Sequence, residues 1–193
     1  MISAIVLAAG LSIRMGQPKM LLTWGTTTVI RKVVETVFCG EIDDILIVTG
    51  GLHAEIEIAL RGLPVQFKMN QDFANGEMLT SVQVGLNALV KDAQAALIVL
   101  GDQPQIQADV VRLIADRYQA TQHPIIVPSY QMHRGHPWLV DRTYWKRILE
   151  LEKPDTLRKF LNTYNTTIDY IPVETRTVLQ DLDTQEDYTH YKP

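Results

Sequence analysis

The sequence predicts an α/β protein, built as a three-layer α/β/α sandwich around a mainly parallel sheet. Short apolar runs rich in β-branched residues alternate with amphipathic helical patterns through most of the 193-residue chain, which is typical of βαβ units. Three of the runs are apolar almost throughout, as expected of parallel strands covered on both faces. With 46% hydrophobic residues, the chain can build one large core, so we expect a single Rossmann-like domain over residues 1–193.

The strands and helices follow from the position of the apolar residues. Strands are predicted where short apolar runs are bounded by turn residues, at Ser3–Ala8, Ile45–Gly50, Val65–Met69, Ala95–Leu100 and Pro124–Pro128. Helices are predicted between them, at Thr28–Phe38, Ala54–Leu60, Met78–Leu89 and Ala108–Tyr118, because apolar residues recur there with helical spacing. The only cysteine, Cys39, falls at the end of the first helical pattern, and we expect a thiol packed on its apolar face.

The last third of the chain is less regular. Strands are predicted at His136–Val140 and Thr167–Val173, and helices at Tyr144–Leu151 and Thr156–Leu161. We expect this part to add edge strands and a lid rather than a second core.

Composition and charge exclude several classes of function. The net charge of −4 does not favour nucleic acid or an anionic membrane as a partner. No apolar stretch approaches the roughly 20 residues that span a bilayer, and the N-terminus lacks a signal-like pattern. We therefore expect a cytoplasmic protein.

The loop after the first strand carries the strongest functional signal. It reads "LAAGLSIRMGQPK", Leu7 to Lys19. Small residues let backbone N–H groups form a concave anion site, and Arg14 and Lys19 add charge suited to a triphosphate. The alternative is a solvated turn whose glycines only adopt positive φ. Neither the P-loop motif nor the dinucleotide-binding glycine motif is present.

A second signal follows the fourth predicted strand, in "LIVLGDQP". Asp102 lies just past the strand end, where a carboxylate suits Mg²⁺ together with phosphates and water. The alternative is a helix cap, although Gln107 and Asp109 are better placed to cap the next helix.

These stretches resemble the molybdenum cofactor guanylyl- and cytidylyltransferase family, within the superfamily of nucleotidyltransferases. The first loop is similar to the signature L-A-A-G-x-S-x-R-M-G-x-x-K, and "GDQP" is similar to the family's G-D-[QM]-P. "NGEMLTSVQVGL", "RGHPWLV" and "DLDTQEDY" resemble further family segments in the same order. The resemblance implies the nucleotide-diphospho-sugar transferase type of fold.

The resemblance also implies roles for individual residues. Arg14 would grip the β- and γ-phosphates, Lys19 would contact the α-phosphate, and Asp102 with Asp183 would hold Mg²⁺. Arg134 and His136 would lie on the acceptor side. The nucleotide would be framed by Leu7, Ala8, Ala9, Gly10, Gly76 and Ser81.

The implied reaction moves a nucleotidyl group, CMP from CTP, onto the terminal phosphate of a molybdopterin-type acceptor and releases pyrophosphate. A client molybdoenzyme or its maturation factor would be a partner. "LAAG" and "GDQP" favour CTP over GTP, whereas Glu77 is an extra acid before Met78 that puts the acceptor in question. A guanylyl-type or a sugar- or alditol-phosphate nucleotidyltransferase, and a non-catalytic carrier of the cofactor, remain alternatives.

Overall fold

The fold is described from a computed structural model, which covers residues 1–10, 12, 15–74 and 77–193. The described residues form ten strands and seven α-helices. In chain order they are β1 (Ile2–Ala8), β2 (Thr23–Trp24), β3 (Thr27–Thr28), α1 (Val29–Cys39), β4 (Asp44–Thr49), α2 (His53–Ala59), β5 (Gln66–Met69), α3 (Met78–Ala88), β6 (Ala95–Leu100), α4 (Ala108–Thr121), β7 (Ile125–Tyr130), β8 (His133–Arg134), β9 (Trp138–Asp141), α5 (Arg142–Leu149), α6 (Leu157–Thr163), β10 (Ile168–Pro172) and α7 (Gln185–Tyr191).

The main sheet has eight strands in the order β10-β7-β9-β6-β1-β4-β5, with β8 paired to β7. β1 is parallel to β4 and β6, β4 to β5, and β10 to β7. β9 runs antiparallel to both of its neighbours, so β6 and β7 share one direction. The carboxyl ends of six strands therefore meet at one edge of the sheet, where α/β proteins bind their ligands.

Helices cover both faces of this sheet, as predicted. Alternate side chains of β1 point to opposite sides, with Ala4 and Val6 in one core cluster and Ile5 and Leu7 in the other. The first cluster includes residues of α1, α2 and α4, and the second includes residues of α3, α5 and α6. The three-layer α/β/α arrangement is thus confirmed.

The prediction that the last third contributes only edge strands is wrong for β9. Trp138, Leu139 and Val140 are at most 1% exposed, because β9 lies between β6 and β7 and is covered on both faces. The register pairs Ile98 with Trp138 and Ile126 with Leu139. β10 does take an edge position, beside β7.

The packed position predicted for Cys39 is also wrong, since this residue is exposed. Val33 and Val37 of α1 are fully buried. Cys39 follows Val37 by two positions, roughly 200° further around the helix, which turns its side chain away from the core.

Within the described ranges, no helix is long and apolar enough to cross a membrane.

Candidate active site

A cavity of about 540 Å³ lies where β1 and β6 end. The end of β1 and the following loop form one wall, α3 and the segment before it form another, and the C-terminal segment before α7 closes the third side. Its lining residues are Leu7, Ala9, Gly10, Ser12, Met15, Lys19, Met20, Phe73, Ala74, Glu77, Met78, Ser81, Leu100, Asp102, Asp181 and Asp183.

Glycines next to β1 let the neighbouring strands approach its end closely. A Cβ on Gly101 would lie 2.7 Å from the carbonyl oxygen of Leu7, and one on Gly50 would lie 2.7 Å from that of Ala9. Both distances are shorter than real side-chain contacts, so any side chain there would push the strands apart. The ends of β4 and β6 are thus held close to the exit of β1, beside the cavity.

Lys19 is the central cation of this cavity. Its side chain enters from the loop after β1, and the residue is only 8% exposed. The Nζ atom lies 2.5 Å from Oδ2 of Asp102 and 3.2 Å from Oδ1 of Asp183. Burial alone would lower the pKa of Lys19, but the two carboxylates outweigh it and raise the pKa above its ordinary value. The ammonium is therefore held in its charged form.

The loop around Lys19 is shaped by local hydrogen bonds. Pro18 precedes a short 3₁₀ turn, Lys19–Leu21, and the Lys19 backbone N–H donates to Oγ of Ser12 at 3.2 Å. Gly16 has a φ of +65°, a conformation that glycine adopts without strain. These constraints direct the lysine side chain inward rather than toward solvent.

Three aspartates line the cavity near this cation. Asp102 follows β6, while Asp181 and Asp183 come from the segment that precedes α7. This segment is attached directly to the loop after β6, because the Leu182 N–H donates to the carbonyl oxygen of Asp102 at 3.0 Å. Burial and the negative charges of Asp102 and Asp183 raise the pKa of Asp181. One lysine thus offsets a local excess of negative charge, which suits a site that takes a further cation.

The donor set fits a metal ion that is shared with phosphates. Asp102 and Asp183 approach the same ammonium, so both can reach one cation. Among the described residues, no group of three His, Cys, Asp or Glu side chains could hold a metal alone. Mg²⁺ commonly takes one or two carboxylates and completes its shell with phosphate oxygens and water. The alternative role of Asp102 as a helix cap is wrong, because α4 begins after Gln107.

The structure brings together most of the residues predicted for the nucleotide and the metal. Lys19, Asp102, Asp183 and Ser81 line the same cavity, as do Leu7, Ala9 and Gly10. Ala8 is buried in the core cluster on the opposite face of the sheet, so only its backbone can serve the site. Arg14 and Gly76 lie outside the described residues.

Arg134 lies in a second cavity, of about 690 Å³, beyond the end of β7. Its guanidinium donates to the Tyr170 hydroxyl at 2.7 Å and to the side-chain oxygens of Asn162 and Asn165 at 2.6 and 2.7 Å. β6 and β7 share one direction, so the two cavities open at the same edge of the sheet.

His136 lines neither of these two cavities. Its backbone N–H donates to the carbonyl oxygen of Val178 at 2.8 Å. Burial lowers its pKa to about 4, so the imidazole is neutral at physiological pH.

Sequence reasoning missed two polar residues of this region. Asp181 reads as a solvated loop acid in the sequence, yet it lines the cavity. Asn70, only 2% exposed, follows β5 and donates to Oγ of Ser81 at 3.0 Å. The signal that could have found Asn70 is its position, since it is the first polar residue after a predicted strand, as Asp102 is after β6.

Comparison with known families identifies the class of protein. Residues 4–168 match the family model described as the MobA-like NTP transferase domain. The molybdenum cofactor cytidylyltransferase of Escherichia coli K12 is 28% identical over 97% of this chain and 93% of its own length. The bifunctional protein GlmU of Francisella tularensis subsp. novicida is 35% identical over 60% of this chain. The matched region covers only 25% of that protein.

Solved structures share the fold of this chain. Rv0371c from Mycobacterium tuberculosis H37Rv has a TM-score of 0.85 at 27% identity, with 98% of this chain and 96% of that chain covered. A manganese complex of Rv0371c has a TM-score of 0.79 over the same shares of both chains, also at 27% identity. A nucleotidyl transferase from Methanothermobacter shares the fold, with a TM-score of 0.83 at 24% identity over 100% of this chain and 96% of its own. The chain belongs to the MobA-like NTP transferase family and is a nucleotidyltransferase.

Proposed function

We propose that this enzyme transfers CMP from CTP to the terminal phosphate of a molybdopterin-type acceptor, with Mg²⁺, and releases pyrophosphate. The observation that carries the proposal is the buried Lys19 ammonium between Asp102 and Asp183, at the carboxyl ends of the parallel strands. The similarity to the E. coli molybdenum cofactor cytidylyltransferase along nearly the whole chain supports the choice of acceptor. In this proposal residues 1–193 act as one nucleotidyltransferase domain.

The exit of β1 and the start of α3 would hold the nucleoside. The backbone of Leu7, Ala8, Ala9 and Gly10 would frame the base and ribose, with Gly76 and Ser81 on the facing wall. Arg14 would bind the β- and γ-phosphates, and Lys19 the α-phosphate. The small residues Ala8, Ala9 and Gly10 suit the exit of β1, because the nucleotide must come close to the backbone there.

Asp102 and Asp183 would hold the metal ion together with phosphate oxygens. Bound there, Mg²⁺ would neutralise charge on the phosphates and orient the leaving pyrophosphate. Because both carboxylates would then serve the metal, the Lys19 ammonium is released from them to face the α-phosphate. Charge builds on the α-phosphoryl oxygens as the acceptor attacks, so Lys19 stabilises the transition state more than the ground state.

The attack needs no nucleophilic side chain of the enzyme. The terminal phosphate oxygen of the acceptor forms a bond to the α-phosphorus, and the bond to the bridging oxygen of pyrophosphate breaks in line with it. Catalysis then rests on positioning and charge neutralisation. Among the described residues, the cavity offers these through one lysine and four carboxylates, Glu77 and the three aspartates.

Arg134 and His136 are proposed to serve the acceptor. The Arg134 guanidinium has only neutral oxygen atoms as hydrogen-bond partners among the described residues, so it keeps its charge available to an anionic group. His136 would act as a neutral hydrogen-bonding group rather than as a cation.

The proposal is tested by incubating the purified protein with Mg²⁺, molybdenum cofactor and each of the four NTPs in turn, and measuring pyrophosphate. We expect release with CTP to exceed that with GTP, and an Asp102→Asn variant that folds normally to release none. Larger release with GTP would assign a guanylyl transferase. If none of the four NTPs gives pyrophosphate, the proposed acceptor or the proposed reaction is wrong.

A further inference from the structure

Asn70 lies behind the wall of the first cavity and has no part in the roles given above. It is 2% exposed and follows β5, with its backbone N–H donating to the carbonyl oxygen of Thr49 at 2.9 Å. A buried amide at such a position must satisfy its hydrogen bonds within the protein. Its partners therefore define how the groups around it are oriented.

The orientation of the Asn70 amide follows from one partner. Its Oδ1 accepts from the backbone N–H of Asp72 at 3.0 Å. Because a backbone N–H can only donate, the oxygen of the amide must be on that side. The Nδ2 group therefore points to the two hydroxyls at the start of α3, with distances of 3.0 Å to Oγ of Ser81 and 3.3 Å to Oγ1 of Thr80.

The two hydroxyls differ in what they do with their own hydrogen. Thr80 donates its hydrogen to the carbonyl oxygen of Glu77 at 2.9 Å, and its side chain is not part of the cavity wall. Ser81 lines the cavity and is 6% exposed. Among the described residues, Ser81 Oγ only accepts, from Asn70. Its hydrogen is thus left to point into the cavity.

We propose that Asn70 is a positioning residue that makes the Ser81 hydroxyl a hydrogen donor toward the nucleoside part of the bound nucleotide. The Ser81 hydroxyl would then recognise an acceptor atom there, either a base carbonyl or the oxygen of the ribose 2′-hydroxyl. This inference rests on the proposed function, since it requires that the first cavity takes an NTP. It assigns a specificity role to a residue outside the recognised motif positions.

The test measures binding of CTP with Mg²⁺ by calorimetry in the absence of acceptor, so that no turnover occurs. Asn70→Asp replaces the donating amide by a carboxylate oxygen, which turns the Ser81 hydrogen away from the cavity. We expect Asn70→Asp and Ser81→Ala each to weaken CTP binding about 10-fold at pH 8, and the double variant to be no weaker than either. Thr80→Val, which alters the other hydroxyl, is the matched control and should stay within about twofold of wild type.

Two further measurements separate positioning from a purely structural role. Lowering the pH to 5.5 should restore CTP affinity in Asn70→Asp relative to wild type, because a protonated carboxyl can donate to Ser81 again, and should not restore it in the double variant. Asn70→Leu, which has no donor at any pH, should weaken binding several-fold at both pH values, but not in the Ser81→Ala background.

The source of the acceptor atom is found by repeating the Ser81→Ala comparison with 2′-deoxy-CTP. With 2′-deoxy-CTP, the loss of affinity caused by Ser81→Ala persists if a base carbonyl is the acceptor. It disappears if the acceptor is the ribose 2′-hydroxyl. Independent losses that multiply to about 100-fold in the Asn70→Asp, Ser81→Ala double variant would overturn the inference. Failure of the wild type to bind any NTP would instead overturn the proposed function, and this inference with it.

Discussion

Lys19 is the residue on which the proposed chemistry of the site depends most. It is the single cation that the described residues place among Asp102, Asp181 and Asp183. Its charge is secured by the raised pKa. Its burial keeps water from screening the interaction, so each hydrogen bond from the ammonium acts at close to full strength.

We expect Lys19→Met to lower kcat about 100-fold while the KM for CTP changes less than about fivefold. The loss of one charge-assisted contact to a developing negative charge costs on the order of 3 kcal/mol of transition-state stabilisation. Steady-state kinetics with CTP varied at saturating acceptor measure both parameters. Lys32→Met, on the exposed surface of α1, is the matched control. A normal kcat with a raised KM would show that Lys19 only binds the nucleotide.

His136 makes the stability of the fold depend on pH. Burial lowers its pKa to about 4 in the folded protein, against roughly 6.5 in an unfolded chain. Between these values the unfolded chain binds a proton that the folded protein does not. The contribution of His136 is therefore fully present above about pH 6.5 and is lost as the pH falls toward 4.

We expect the free energy of unfolding of the wild type to fall by up to about 3 kcal/mol relative to His136→Asn between pH 7 and pH 4. Urea unfolding at several pH values measures the difference. His133→Asn, at the exposed start of β8, should give a curve parallel to that of the wild type. Parallel curves for His136→Asn as well would mean that His136 is not the group responsible.

The place of Lys19 and Asp102 at the cavity could be predicted because each follows a strand whose apolar pattern is unmistakable, and ligands bind at strand ends in parallel sheets. Asp181 could not, since nothing in its local sequence shows that the Leu182 N–H attaches that segment to Asp102. Asn70 is hidden for a similar reason, because its contact with Ser81 depends on how β5 and α3 pack. Long-range contacts of this kind leave no periodic signal.

At the scale of elements, α7 holds the loop that carries Lys19. The Tyr188 hydroxyl donates to the carbonyl oxygen of Thr23 at 2.6 Å, and its ring packs on Trp24 with centroids 6.5 Å apart. Leu182 and Trp24 belong to one small core cluster with Val29. The C-terminal helix thus connects the Asp183 segment to the loop on the opposite side of the cavity.

We expect Tyr188→Ala to lower the melting temperature by several degrees and to raise the KM for CTP about 10-fold, because both cavity walls lose a shared support. Tyr188→Phe, which keeps the ring and loses only the hydroxyl, should have a smaller effect. Thr189→Ala, on the exposed face of α7, serves as the control for helix stability. An unchanged KM in Tyr188→Ala would show that α7 does not support the site.

The seven longer strands and the helices α1 to α6 were predicted within a few residues, whereas β2, β3, β8 and α7 were not predicted. The place of β9 in the sheet was not predicted either. The pattern around Trp138 indicates a strand, yet it cannot show whether that strand lies at an edge or between two others. The observed place of β9, antiparallel between β6 and β7, requires pairing with residues 13 to 46 positions away in sequence. Such pairing is decided by the whole sheet and not by the local pattern.

At the scale of the whole molecule, the carboxyl ends of the parallel strands, and the polar residues that follow them, lie at one edge of the sheet. Six parallel strands end at the same edge, and both cavities open there. The first cavity lies at the ends of β1 and β6, while the second cavity, which contains Arg134, lies at the end of β7. This arrangement allows a nucleotide and an anionic acceptor to approach along one edge, as a direct transfer between them requires.

The fate of labelled phosphates tests the central claim most directly. CTP labelled at either the α- or the γ-phosphate is incubated with the enzyme, Mg²⁺ and molybdenum cofactor, with Asp102→Asn as the blank. Nucleotidyl transfer predicts that the α label appears in the acceptor product and that the γ label leaves only as pyrophosphate. Appearance of the γ label in the acceptor or as free phosphate, with the α label retained in CDP, would contradict the assignment of Lys19, Asp102 and Asp183 to attack at the α-phosphorus.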